Sequence, residues 1–116
     1  MKDSRELAAD VVRALEDKKG EDVIVIDLRD ITSFTDYFVI ATGNNVPQVQ
    51  AMSDAAEEAM AKNGVSVTNI EGYQSANWIL MDYNDVIVHI FDKESRSFYD
   101  LERLWKDGKF IKAEEI

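Results

Sequence analysis

The stretch ANWILMDYNDVIVHIFD (residues 76–92) decides the fold. Two apolar runs, about Asn77–Asp82 and Val86–Phe91, flank a turn rich in Asn and Asp, the pattern of two adjacent antiparallel strands. Side chains alternate along a strand, so Ile87, His89 and Phe91 share one side and Val86, Val88 and Ile90 the other. Both sides are apolar, so both are to be covered. His89 is the only histidine in the chain. A single imidazole between apolar neighbours reads as a structural strand residue lining a surface, not a base or a metal ligand. The chain also lacks the G-x-S-x-G pattern that would present a serine nucleophile.

Working outward, VSVTNIEG (65–72) is a weaker strand ended by Gly72. NNVPQVQAMSDAAEEAMAKNG (44–64) predicts a helix with Pro47 in its first turn and Gly64 past its end. Val49, Met52, Ala56, Ala59 and Met60 line its buried side. DYFVIATG (36–43) and EDVIVIDLRD (21–30) predict strands buried on both faces, joined by ITSFTD. DSRELAADVVRALEDKKG (3–20) predicts a first helix. Asp3 or Ser4 caps it, Glu6 reaches back to Asp3, and Gly20 suits the position past its end. On the far side, ESRSFYDLERLWKDG (94–108) predicts one short helix with Phe98, Leu101, Leu104 and Trp105 on a shared face. That face leaves Tyr99 exposed beside Glu102 and Arg103. The order α-β-β-α-β-β-β-α implies an α/β (α+β) domain: a central mixed sheet of about five strands flanked by helices. The domain is expected over 1–107, with 108–116 a C-terminal tail.

Composition bounds the function. A chain of 116 residues holds one core. No apolar run approaches the roughly 20 residues of a membrane span, and the acidic N-terminus does not read as a secretory signal. The absence of cysteine excludes disulfides, thiolate nucleophiles and zinc–thiolate sites, and is compatible with the cytoplasm. Net charge is −10, and no Lys or Arg lies between Arg29 and Lys62. Such a surface repels a nucleic-acid backbone and suits a basic protein partner, while also serving solubility.

Two further groups carry possible chemistry. Asp27, Asp82, Asp85 and Asp92 stand at strand ends, where carboxylates can hold Mg²⁺ for phosphoryl or nucleotidyl transfer. Such transfer also needs a phosphate cradle. The loop ATGNNVPQ (41–48) has no Walker pattern and no nearby Lys or Arg, and reads as a turn. Trp78 and Leu80 share one side of the hairpin, with Asp82 at its end. Trp78 suits a core or an interface equally; Tyr99, exposed beside acids, resembles an interface anchor.

SFTDYFVIATG (33–43), WILMDYNDVIVHIF (78–91) and SRSFYDLERLW (95–105), in this order, resemble the signature blocks of the ribosomal silencing factor family, RsfS or Iojap. The likeness runs from the first helix to Trp105. It implies a fold similar to nucleotidyltransferases without their catalytic set, no reaction, and no cofactor or metal. It implies binding to the large ribosomal subunit, chiefly through ribosomal protein fourteen at the intersubunit face. Occupying that face would prevent small-subunit joining and silence translation in starvation. A homodimer is also implied. Carried over, the interface falls on Trp78, Ile79, Leu80 and Tyr99, with Asp82 and Asp85 facing Lys or Arg of the partner. The rival readings are a metal-dependent nucleotidyltransferase using Asp27, Asp82 or Asp85, and an acidic adaptor for another basic protein.

Overall fold

A computed structural model describes residues 2–116. Helix α1 (Ser4–Asp17) opens on a capping box: Asp3 accepts from the Glu6 backbone N–H at 2.9 Å, and Glu6 accepts from the Asp3 N–H at 3.2 Å. Strand β1 (Glu21–Asp27) pairs antiparallel with β2 (Tyr37–Gly43). Helix α2 (Val46–Lys62) follows, capped by Asn45, which accepts from the Gln48 N–H at 2.8 Å. The short edge strand β3 (Asn69–Glu71) leads to the hairpin β4 (Trp78–Asp82) and β5 (Val86–Asp92). Beyond it come α3 (Lys93–Tyr99), α4 (Leu101–Leu104), β6 (Lys109–Lys112) and a 3-10 turn, Ala113–Glu115.

The sheet order is β3-β4-β5-β2-β1-β6, and only the central β2–β5 pair is parallel. The expected mixed sheet is present with six strands. The sixth lies where a tail was expected. Lys109–Lys112 pair with β1 (Asp27 opposite Lys109, Ile24 opposite Lys112) because β1 would otherwise expose an unpaired edge.

Alternation divides the sheet into two unequal faces. On one, Val25, Tyr37, Val39, Ala41, Ile79, Met81, Val88 and Ile90 pack beneath Val11 and Leu15 of α1 and Val49, Met52 and Met60 of α2. On the other, Ile26, Leu28, Phe38, Ile40, Ile87 and Phe91 meet Leu101 and the partly buried Ile24, Trp78, Leu80 and Trp105. Two long helices roof the first face; two short ones cover part of the second.

Two glycines permit close approaches. Gly72 has φ 81°, and a Cβ there would lie 2.1 Å from the Trp78 carbonyl oxygen, so only glycine fits where β3 ends and the chain turns towards β4. Gly20 lies past the end of α1 as expected, and the left-handed residue there is Lys19 (φ 66°). Gly20 instead makes room, since a Cβ would meet Leu15 backbone and Met52 at 2.8 Å.

The last helix departs most from expectation. Asp100 is left-handed (φ 47°, ψ 57°) and divides it into α3 and α4. Asp tolerates that conformation better than most residues. After the break the four apolar residues no longer share a face. Leu101 is buried and Trp105 half-buried, while Phe98 and Leu104 stand 79% and 72% exposed.

Candidate functional site

The partly open face of the sheet gathers most of the aromatic residues. Trp78 on β4 packs against Phe91 of β5 (5.1 Å between ring centroids) and against Tyr99 of α3 (4.6 Å). Phe98 meets Tyr99 edge-to-face at 5.1 Å and projects into solvent. A second aromatic group, Phe34, Phe38 and Trp105, continues across the same face, with centroids 5.4–6.4 Å apart. Large apolar side chains that remain exposed together mark an interaction surface more often than chance.

Arg96 places Tyr99 over Trp78. Its guanidinium donates to the Asp22 carbonyl oxygen (2.6 Å), to Thr42 Oγ1 (2.9 Å) and to Glu102 Oε2 (3.2 and 3.3 Å). Asp92 caps the start of the same helix, accepting from the Ser95 N–H at 2.7 Å. These bonds hold a helix with no buried residue of its own across the end of the sheet. The sequence reading missed Arg96 and the exposure of Phe98. Arg96 and Glu102 are six residues apart, not a helical spacing, so their meeting requires the turn at Asp100.

His89 is 3% exposed. Its Nδ1 accepts from the Trp78 indole N–H at 3.1 Å, and Phe38 packs edge-on to its ring at 4.5 Å. Burial lowers its pKa to about 3, so it is neutral at any physiological pH. As expected, it is a strand residue; it touches the open face from beneath.

The interface residues expected from the family blocks separate into groups. Trp78 and Leu80 are half-buried on the open face, and Tyr99 is 45% exposed beside Trp78. Ile79 faces the other way. It is 0% exposed and packs in the helix-roofed core, because alternate residues of a strand cannot share a face. Asp82 accepts from the Asn84 N–H at 2.8 Å and shapes the hairpin turn. Asp85 is exposed, and its carbonyl receives the Asp36 and Tyr37 N–H groups. Both lie at the far end of β4 from Trp78, about 13 Å along the strand.

The four strand-end carboxylates do not converge. Asp27 is bound by Arg29 at 2.8 and 3.0 Å, and those side-chain bonds hold its pKa below the usual carboxylate range against the opposing effect of burial. Asp92, the helix cap, lies at the opposite end of β5 from Asp82 and Asp85. Among the described residues no three His, Asp or Glu side chains are grouped to hold a metal ion. The loop 41–48 is tied down: Gln48 accepts from the Asn44 N–H and donates to the Lys18 and Lys19 carbonyls between α1 and β1. Among the described residues, no helix is long and apolar enough to cross a membrane.

These features define a class: an α+β domain whose mixed sheet is roofed on one side and carries an aromatic face on the other. The family model described as "Ribosomal silencing factor during starvation" matches residues 1–116. A Halalkalibacterium halodurans protein named ribosomal silencing factor RsfS is 36% identical over 97% of each chain. Its Bacillus subtilis namesake is 43% identical over 82% of this chain and 80% of its own. A crystal structure from Chromobacterium violaceum superposes with a TM-score of 0.88 at 34% identity, covering 90% of this chain and 88% of the other. The chain belongs to the RsfS ribosomal silencing factor family. That membership supports a role in ribosome silencing and implies a ribosome-related partner.

Proposed function

We propose that this protein binds the large ribosomal subunit through ribosomal protein fourteen at the intersubunit face. By occupying that face it sterically blocks small-subunit joining and represses translation under nutrient limitation. The single observation carrying this reading is the Trp78–Tyr99 pair, 4.6 Å apart and partly exposed on the sheet face that lacks a full helical roof. Aromatic residues held rigidly at a surface serve as anchors in interfaces. Leu80 extends the anchor along β4. Asp82 and Asp85 form an acidic rim that attracts and orients a basic surface, in keeping with the net charge of −10. Ile79 supports β4 from the core side. The mechanism needs occupancy alone, so no catalytic residue, cofactor or metal is assigned. The site of action is the cytoplasm, and any homodimer must leave or vacate the face that carries Trp78.

Sucrose-gradient co-sedimentation with large subunits, small subunits and joined ribosomes tests this reading. The protein is expected to travel with free large subunits and to reduce joining as its concentration rises. Migration with none of the three, at low and moderate salt, would overturn it.

A further inference from the structure

Leu80 lies opposite His89, and Trp78 opposite Phe91, so His89 sits diagonally beside Trp78 on the open face. The neighbouring positions on its own strand are filled by Ile87 and Phe91. A hydrophobic residue would satisfy position 89 equally well. The imidazole is the more costly occupant. An indole N–H can only donate, so the 3.1 Å bond requires a bare Nδ1 on His89. The proton of the neutral ring then resides on Nε2, which is buried with no hydrogen-bond acceptor among the described residues. An unpaired buried donor calls for an explanation, and here the other ring nitrogen supplies one. Tilted packing against Phe91 and Tyr99 restrains the indole plane without fixing which edge points inward; a hydrogen bond has direction.

The geometry points to His89 as the positioning residue of the docking face, holding the Trp78 ring in a single orientation before a partner arrives. Preorganisation spares the partner the ordering of that side chain. The effect on affinity rests on the docking reading above; the orientation of Trp78 does not.

One spectroscopic measurement on the intact chain tests the orientation. Because His89 is the only histidine, long-range ¹H–¹⁵N spectra report a single imidazole. Expected is the Nε2-protonated tautomer, unchanged from pH 8 to 5. A tautomer protonated at Nδ1, or a mixture, would overturn the proposal. Variants extend the test. His89→Asn keeps an acceptor near the Nδ1 position, His89→Gln moves it outward, and His89→Phe removes it. The Trp78 indole resonance, assigned by comparison with Trp78→Phe, should persist in the Asn variant and move upfield in the Gln and Phe variants. An unchanged resonance in folded His89→Gln or His89→Phe would overturn the proposal. Affinity for large subunits should fall about fivefold in His89→Phe, be nearly restored in His89→Asn, and show no further loss when Trp78→Phe is already present. If the wild type ignores large subunits yet shows the expected tautomer and indole shifts, the docking reading falls and the positioning role stands.

Discussion

The two faces of one sheet are built from alternate residues of the same strands, yet they differ in kind. The face under α1 and α2 is mainly aliphatic and closed: Val11, Leu15, Val39, Met52, Ile79 and Val88 are all 0% exposed. The opposite face is aromatic and partly open, with Trp78, Leu80 and Trp105 half-buried and Tyr99, Phe98 and Phe34 exposed. Closed aliphatic packing contributes stability in proportion to the area removed from water. Aromatic rings left at a surface bury little in the free protein and retain their area for a partner. The difference teaches that stability and recognition are separable here, down to neighbouring residues such as Trp78 and Ile79.

The sharpest way to break that separation is to truncate one residue on each face. Ile79→Ala should destabilise the domain by about 3 kcal/mol in denaturant unfolding, through lost burial and a cavity. The fraction that stays folded should bind large subunits normally. If affinity falls in step with the folded protein corrected for, Ile79 belongs to the interface after all.

Tyr99→Ala should reverse the pattern. Affinity should weaken by about 2 kcal/mol while stability changes by less than about 1 kcal/mol. Full affinity in a folded Tyr99→Ala protein would remove Tyr99 from the anchor. Arg96→Ala sharpens the point from behind. It leaves a polar cluster unpaired and frees α3, costing about 1–2 kcal/mol of stability and also loosening Tyr99. Hydrogen exchange confined to 93–104 would show this local loss; global destabilisation alone would contradict it.

The neutral state of His89 predicts a pH dependence. Its folded pKa, about 3, lies below its ordinary 6.5, so between those values the unfolded chain binds the extra proton. The stability contributed is therefore complete above pH 6.5 and declines as pH falls, by about 1.4 kcal/mol per unit. Unfolding curves at pH 7 and pH 5 should differ more for the wild type than for His89→Asn. Equal differences would mean that His89 is protonated in the fold. The smallest effect is expected at the rim: Asp85→Asn should slow association and flatten its salt dependence, with affinity changed by less than about 1 kcal/mol.

Legibility followed the same division. The hairpin was readable because two apolar runs flank a tight polar turn, and that local pattern survives in Trp78–Asp82 and Val86–Asp92. The capping box at Asp3 and Glu6 was readable because its partners lie three residues apart. Ile79 was grouped with Trp78 and Leu80 by family resemblance alone; the period of a strand turns its side chain to the roofed face instead. The last helix was misread because its apolar spacing suits a continuous helix, and nothing local announces a left-handed Asp100. Strand β6 was missed because four residues, KFIK, carry too little pattern; they become a strand by meeting the free edge of β1.

By itself, the sequence determined the elements whose signals are local: two capped helices, buried strands, an acidic surface and the family blocks. Turn chemistry, caps and periodicity act within a few residues and are written in order along the chain. Only the tertiary structure decided that β2 and β5 lie side by side and that Arg96 reaches Asp22, Thr42 and Glu102. It alone brought Tyr99 over Trp78, and Trp78 onto His89. Those meetings depend on which residues are neighbours in space, and that is set by packing the whole chain around one core.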